Sequence, residues 1–250
     1  VVGFRTKGIS MSNTPDPAAG PEGVLVVGAG ELGTCVLDAL HRQSDRDAEL
    51  RSLTLMVRRS TSDHAKRRAA DLAAKDIALV ELDVAEASVA ELAAVMGRHH
   101  TVISCIGMTA GPGTQVKLAR AALAGGVPRY FPWQFGMDYD VIGRNSPQDL
   151  FDEQLDVRDL LRGQDATRWV IVSTGLFTSE VRDEPVTRTE WSLPYLLDEL
   201  ERHPTDPMAK YHAVFAQGRG VAWPKVESFN GARGIPTTTA AEWARAHLTE

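Results

Sequence analysis

Cysteine is scarce in this chain: Cys35 and Cys105 stand alone, without a Cys-x-x-Cys spacing, in 250 residues. That leaves no disulfide framework and no cysteine-built metal centre to organise a fold, and both thiols are expected to be reduced packing residues. Long apolar runs are missing as well. The longest, such as Val24–Val27 and Trp169–Val172, fall far short of a bilayer's width, and the N-terminus lacks the apolar core of a secretory signal. No membrane partner is expected, and a cytoplasmic location is the default. There is no excess of positive charge either. With 27 Lys and Arg against 33 Asp and Glu, the net charge is −6 and the two signs are interspersed. A surface of that kind has no basic face to neutralise a nucleic-acid backbone, which removes nucleic acid from the expected partners. No metal site is expected, and no internal repeat is visible.

What is present is an alternation. Residues 1–22 are rich in Gly, Pro, Ser, Asn and Thr without an apolar period and read as a flexible leader, with Met11 as a candidate start. From Val24 onward, short runs rich in β-branched residues alternate with amphipathic stretches. The runs Val24–Val27, Leu53–Val57, Ile77–Leu82, Thr101–Ile106, Arg129–Trp133 and Trp169–Ser173 read as strands buried on both faces. One helix carries Leu32, Val36, Leu37 and Leu40 on one side. Another carries Val89, Leu92 and Met96, and a third carries Val116, Ala119, Ala122 and Leu123 before Gly125-Gly126 stops it. Strand–helix alternation of this kind predicts an α/β fold, a doubly wound parallel sheet over residues 23–178. After Phe177 the rhythm breaks. A charged, proline-containing stretch at Glu180–Arg188 leads to a helix near Leu193–Arg202, then a loop-rich tail ending in a helix around Thr239–Leu248. Residues 179–250, with Trp191, Trp223 and Trp243, are expected to form a small C-terminal substrate or lid region.

The chemistry concentrates at the strand ends. Gly28-Ala29-Gly30-Glu31-Leu32-Gly33 is a Gly-x-Gly-x-x-Gly run between a buried strand and an amphipathic helix. In that context Gly28 permits the tight turn, Gly30 lets backbone approach a pyrophosphate, and Gly33 lets the helix lie close to the sheet. The backbone of Glu31 and Leu32 completes the phosphate-binding helix N-terminus. At the end of the second strand, where an NAD-preferring protein carries an acidic residue for the ribose 2′-hydroxyl, this chain has Arg58-Arg59-Ser60-Thr61. Two guanidinium groups suit a 2′-phosphate, so NADP is the expected cofactor, held by Gly28, Gly30, Glu31, Leu32, Gly33, Arg58 and Arg59. Asp83, at the tip of the third strand, is placed to meet the adenine edge of the cofactor but reads first as an ordinary turn residue. Ile106 and Gly107 follow the fourth strand and are expected against the cofactor's central part. Trp133, Gln134 and Phe135 follow the fifth strand, and Phe177 follows the sixth; these four are the candidate substrate-pocket residues.

With Val24–Gly33, Arg58–Ser60, Thr114–Gly136 and Val170–Phe177 in view, the chain resembles the NmrA-like and isoflavone-reductase-like branch of the atypical short-chain dehydrogenases. That resemblance implies a Rossmann domain binding NADPH and a smaller C-terminal substrate domain. In reductase members it implies reduction of aromatic or phenylpropanoid-type compounds, and in others nucleotide sensing without turnover. The reductases carry a catalytic lysine three positions beyond an aromatic residue and three before a Val-Arg pair. Here Phe151 and Val157-Arg158 match that frame and put Gln154 at the lysine position. The Tyr-x-x-x-Lys pair of ordinary short-chain dehydrogenases is absent, since Gln134, Gly143, Glu199 and Phe215 follow the four tyrosines at that spacing. Tyr139, between Asp138 and Asp140, is the weak remaining candidate for a proton donor, and it reads first as a surface turn residue. Relatives also carry a further strand-and-helix section where Val181–Pro185 runs straight on, so the C-terminal region is read as shortened. Two functions follow: an NADP-dependent oxidoreductase of a small, aromatic substrate, or a non-catalytic NADP(H)-binding sensor acting on a protein partner.

Overall fold

The computed structural model describes residues 23–44, 52–107, 110–174, 189–222 and 224–247. The expected leader, Phe177, the stretch Glu180–Arg188 and Trp223 lie outside them. Six strands, β1 (Val24–Val27), β2 (Leu53–Val57), β3 (Ala78–Glu81), β4 (Thr101–Ser104), β5 (Arg129–Phe131) and β6 (Arg168–Trp169), form one sheet in the order β3-β2-β1-β4-β5-β6. β1 pairs in parallel with both β2 and β4, and β2 pairs in parallel with β3. This is the doubly wound α/β arrangement, and its strand order reverses between β1 and β4, where such sheets bind ligands at the carboxyl ends of their strands.

The chain separates into two compact units, one running to Cys105 and including Ala121–Tyr130, the other comprising Ile106–Arg120 and everything from Phe131 onward. In the first, α1 (Glu31–Gln43), α2 (Asp63–Ala74) and α3 (Val89–Met96) alternate with the strands. Val24, Leu25, Val26 and Val27 are all buried, so β1 is the apolar spine of this unit. Each such side chain contributes roughly 1.5–3 kcal/mol when removed from water. Val24, Val26, Leu37, Leu53, Leu55, Leu72, Ile77 and Cys105 join in one cluster, with Leu32, Val36 and Leu40 of the predicted α1 face packed against it. α3 starts where Ser88 and Glu91 cap one another: the Glu91 backbone N–H donates to Ser88 Oγ, and Glu91 Oε2 accepts from the Ser88 backbone N–H.

Three expectations are corrected by the structure. The sixth strand, read as Trp169–Ser173, is only Arg168–Trp169, and Val170 beyond it is 44% exposed. β3 is not buried on both faces: Ala78 and Glu81 are exposed, because the strand lies at the edge of the sheet. Cys35 is exposed on α1 while Cys105 is buried, since the helix turns position 35 away from the side that carries Leu37.

The second unit holds α5 (Tyr139–Ile142), α6 (Leu150–Arg162), α7 (Leu193–Arg202), α8 (Pro207–Gln217), α9 (Phe229–Ala232) and α10 (Ala240–His247). The intervening α4 (Thr114–Ala124) spans the division. Met137, Tyr139, Ile142, Phe151, Leu155 and Val214 form the core of the second unit, with Tyr211, Phe215 and Val221 against it. α7 matches the predicted helix. α8 replaces part of the expected loop-rich tail: Asp206 accepts from the Met208 and Ala209 N–H groups, Pro207 opens the helix, and Gly218 closes it at φ 67°. α10 begins with Thr239 and Glu242 hydrogen-bonded to one another's backbone N–H groups.

Candidate functional site

In the first unit, the three glycines of the turn after β1 owe their identity to different forces. Gly28 sits at φ 99°, a conformation L side chains rarely adopt, and its N–H continues the sheet ladder to Met56 O at 2.9 Å. A Cβ on Gly33 would lie 2.0 Å from Gly28 O and 3.3 Å from Cys105 Cβ, so close helix–sheet contact excludes a side chain there. Gly30 is different. Its φ is −73°, open to any residue, and a Cβ on it would meet nothing within 4 Å. Among the described residues, nothing requires this glycine.

Gly30 is also the N-cap of α1, and among the described residues no side chain caps the helix. The first helical hydrogen bond runs from Thr34 N–H to Gly30 O at 3.0 Å. The N–H groups of Glu31, Leu32 and Gly33 therefore precede the hydrogen-bonded ladder at the positive end of the helix dipole. The N-terminus of α4 has been treated otherwise. Glu153 Oε1 accepts from the Gln115 and Val116 N–H groups at 2.7 and 3.2 Å, and its Oε2 accepts from Gly113 N–H at 3.0 Å. That helix end is closed by the chain's own carboxylate, whereas among the described residues no side chain closes the α1 end.

Arg58 and Arg59 are both exposed just beyond β2. Arg59 Nε donates to Glu81 Oε2 at 3.3 Å, and among the described residues Arg58 makes no ion pair. Asp83 is a turn residue, as expected: Oδ1 accepts from Ala85 N–H at 2.9 Å. Burial pushes the Cys105 thiol up to about 12, so it stays protonated and inert behind the glycine turn.

The residues predicted after β4 and β5 lie in the second unit. Gln115 Nε2 donates to Ile106 O at 2.9 Å. A Cβ on Gly107 would come within 3.2 Å of the Trp133 ring, so this glycine and the indole are in contact. Trp133 and Phe135 are half-buried. Gln134 is fully buried and its amide is spent within the chain: Nε2 donates to Gln154 O at 2.8 Å, and Oε1 accepts from Arg158 Nε at 2.7 Å. Arg158, 4% exposed, also donates through Nη1 to Asp140 Oδ2 at 2.6 Å and Asp138 Oδ1 at 3.3 Å. Its guanidinium stands 5.5 Å from the centre of the Tyr139 ring. One side chain thus fixes the loop from Gln134 to Asp140. In the sequence Arg158 served only to frame position 154, and Glu153 drew no attention. Neither role has a local signal, because both depend on contacts between residues distant in the chain.

Tyr139 is not a surface turn residue. It is 1% exposed, stacked edge-on to Phe151 at 5.1 Å between ring centres. Burial first, then neighbouring Tyr211, pushes its hydroxyl well above the ordinary tyrosine range, although Arg158 opposes this. It keeps its proton at neutral pH. Gln154 is wholly buried, and neither atom of its amide has a hydrogen-bond partner among the described residues, an expensive condition for a side chain inside a protein. Among the described residues, no group of three or more His, Cys, Asp or Glu could hold a metal ion, and no helix is long and apolar enough to cross a membrane.

Asp140 yields a prediction about pH. Its hydrogen bond to Arg162, and then that to Arg158, hold its carboxyl at about 2, below the ordinary 3.8. A depressed folded-state value means that the stabilisation is complete above about pH 4 and lost as pH falls toward 2. Because the side chain is 40% exposed, water screens the interaction to about 1 kcal/mol or less. Asp140→Asn should therefore unfold at lower urea than the parent at pH 6, and the difference should shrink steeply as pH falls toward 2. A constant difference across that range would contradict the assignment.

A comparison with protein families matches residues 22–184 to the NmrA-like family. The chain belongs to the NmrA-like family. A curated relative from Gibberella moniliformis (strain M3125 / FGSC 7600), described as an NmrA-like family domain-containing oxidoreductase, is 36% identical over 296 aligned positions, covering 90% of this chain and 97% of its own. That alignment is longer than this NmrA-like chain, so the relative carries segments with no counterpart here. Among solved structures, the NADPH-dependent quinone oxidoreductase of Escherichia coli, complexed with NADPH, superposes with a TM-score of 0.59 at 15% identity, covering 90% of this chain and 100% of that one. Leucoanthocyanidin reductase from Vitis vinifera, in binary complex with NADPH, gives 0.52 at 20% identity, covering 66% of this chain and 54% of that chain. An isoflavone reductase gives 0.52 at 19%, covering 69% and 56%. This NmrA-like chain thus spans about half the length of those two reductases. At such identities the likeness to the solved structures is one of fold.

Proposed function

We propose that this NmrA-like protein is an NADPH-dependent reductase of a small, aromatic or phenylpropanoid-like carbonyl or enone compound. The observation that carries the cofactor reading is Gly30, a glycine that no internal contact or backbone angle requires, set at an uncapped helix N-terminus. A pyrophosphate approaching the backbone supplies the missing reason. The N–H groups of Glu31, Leu32 and Gly33 would receive it, and Arg58 would meet the 2′-phosphate. The curated relative is an oxidoreductase by description, and the fold neighbours include proteins solved with NADPH; both support the same reading. Within the second unit, Trp133, in contact with Gly107, and half-buried Phe135 are the proposed aromatic residues for a substrate.

When bound, NADPH supplies the hydride. The chain's part is to hold the reactants, and positioning alone provides a large share of many rate enhancements. Neither Gln154 nor Tyr139 is suited to deliver a proton, the first because an amide does not titrate and the second because burial holds its hydroxyl proton tightly. The proton is therefore assigned to water or to a group of the substrate.

The test is absorbance of the reduced nicotinamide with a panel of aromatic aldehydes and enones. Oxidation of NADPH with any of them supports the reductase, and Arg58→Ala should then raise the Kd for NADPH about tenfold while leaving NADH nearly unchanged. Equal losses for both would refute the 2′-phosphate contact. Gln154 favours a second reading, a cofactor-binding sensor, because the position of the family lysine holds a group without acid–base chemistry. That reading requires partner affinity to differ with and without nucleotide, and unchanged affinity would remove it.

A further inference from the structure

We infer that Glu81 is a specificity-determining residue that moderates the preference for NADPH over NADH. The inference rests on the cofactor reading above. The register of the sheet sets Glu81 beside Val57, the last residue of β2, and Leu82 N–H donates to Val57 O at 2.8 Å. A carboxylate therefore stands at the strand end from which Arg58 and Arg59 project. Its Oε2 accepts from Arg59 Nε at 3.3 Å, with the two side chains 37% and 81% exposed.

The consequence is electrostatic. Of two guanidinium groups at the 2′ position, Arg59 is already engaged by a negative charge, while Arg58 has no ion pair among the described residues. A 2′-phosphate arriving there must share Arg59 with Glu81 and tolerate a like charge nearby. A 2′-hydroxyl suffers neither penalty, and a carboxylate near the ribose is the acceptor that NAD-binding sites use. Glu81 brings such an acceptor from the neighbouring strand rather than from the end of β2. The nearby Asp83 turns its carboxylate to Ala85 N–H, whereas Glu81 is paired with Arg59 of the two arginines.

Two arginines in sequence would suggest a site committed to NADPH; with Glu81, the expected behaviour is modest discrimination. Fluorescence titration of the full chain with NADPH and with NADH tests this, using the parent, Glu81→Gln, Arg58→Ala and Arg59→Ala. Glu81→Gln should tighten NADPH by about three- to tenfold and leave NADH equal or weaker. Its thermal midpoint should match the parent's, since an exposed pair adds little stability. Arg58→Ala should cost more NADPH affinity than Arg59→Ala. An unchanged NADPH-to-NADH ratio in Glu81→Gln, or equal losses from the two arginine variants, would overturn the role of Glu81 while leaving NADPH binding by the parent intact. Binding of neither dinucleotide by the parent would overturn the cofactor reading and this inference with it.

Discussion

Gly30→Asp is expected to raise the Kd for NADPH at least 100-fold, roughly 3 kcal/mol by the usual conversion of affinity to free energy, while the protein remains folded with a thermal midpoint close to the parent's. A Cβ at this position meets nothing within 4 Å, and φ is an ordinary −73°, so the folded state accommodates the side chain. An aspartate there can even satisfy the uncapped first turn of α1, as N-cap aspartates do. What it cannot do is share that turn with a pyrophosphate, whose charge it repels and whose place it takes. Gly33→Val provides the contrast. Its first side-chain atom would lie 2.0 Å from Gly28 O, so this variant should lose about 1–3 kcal/mol or more of stability before any effect on binding is considered. Isothermal titration alongside urea unfolding separates the two outcomes. NADPH binding preserved in Gly30→Asp would mean that the pyrophosphate does not lie at this turn.

Arg158→Ala should produce the largest loss of stability among polar substitutions, about 3–4 kcal/mol. The guanidinium is buried, and its removal orphans Gln134 Oε1, which lies in a fully buried side chain. Asp138 and Asp140 also lose their shared cation, and a void opens beside the Tyr139 ring. Arg158→Lys should recover only part of the loss, because an ammonium has no fork with which to reach Gln134 and the aspartates together. The urea midpoint of each variant is the readout. A loss under about 1 kcal/mol for the alanine variant would show that the network holds little of the loop after β5.

The first five strands and the glycine turn were legible in the sequence because their signals are local, whereas of the run Trp169–Ser173 only Trp169 is in a strand. A buried strand running straight into Gly-x-Gly-x-x-Gly specifies a turn and a helix start within ten residues, and β1, the turn and α1 occur where those residues put them. Edge position was not legible. β3 carries an apolar run like its neighbours, yet Ala78 and Glu81 are exposed because β3 is the first strand in the sheet order. The pairing of Glu81 with Arg59 likewise depends on the register of β2 against β3. Tyr139, flanked by two aspartates, looked like a surface residue, and its burial comes from Phe151 and the helix that carries Tyr211. Gln134, a glutamine beyond a strand end, suggests a pocket, but Arg158 and the Gln154 carbonyl take both ends of its amide. α8 was legible in principle, since Asp206-Pro207 and Gly218 mark its two ends, although its apolar face of Ala209, Ala213 and Val214 is too modest to stand out.

A fluorescence titration of the parent protein with NADPH, repeated with Gly30→Asp, tests whether the uncapped turn at Gly28–Gly33 holds the pyrophosphate. Saturable binding by the parent in the micromolar range or tighter, abolished in a folded Gly30→Asp variant, is the predicted result. No saturable binding by the parent, or equal binding by both proteins, would contradict it.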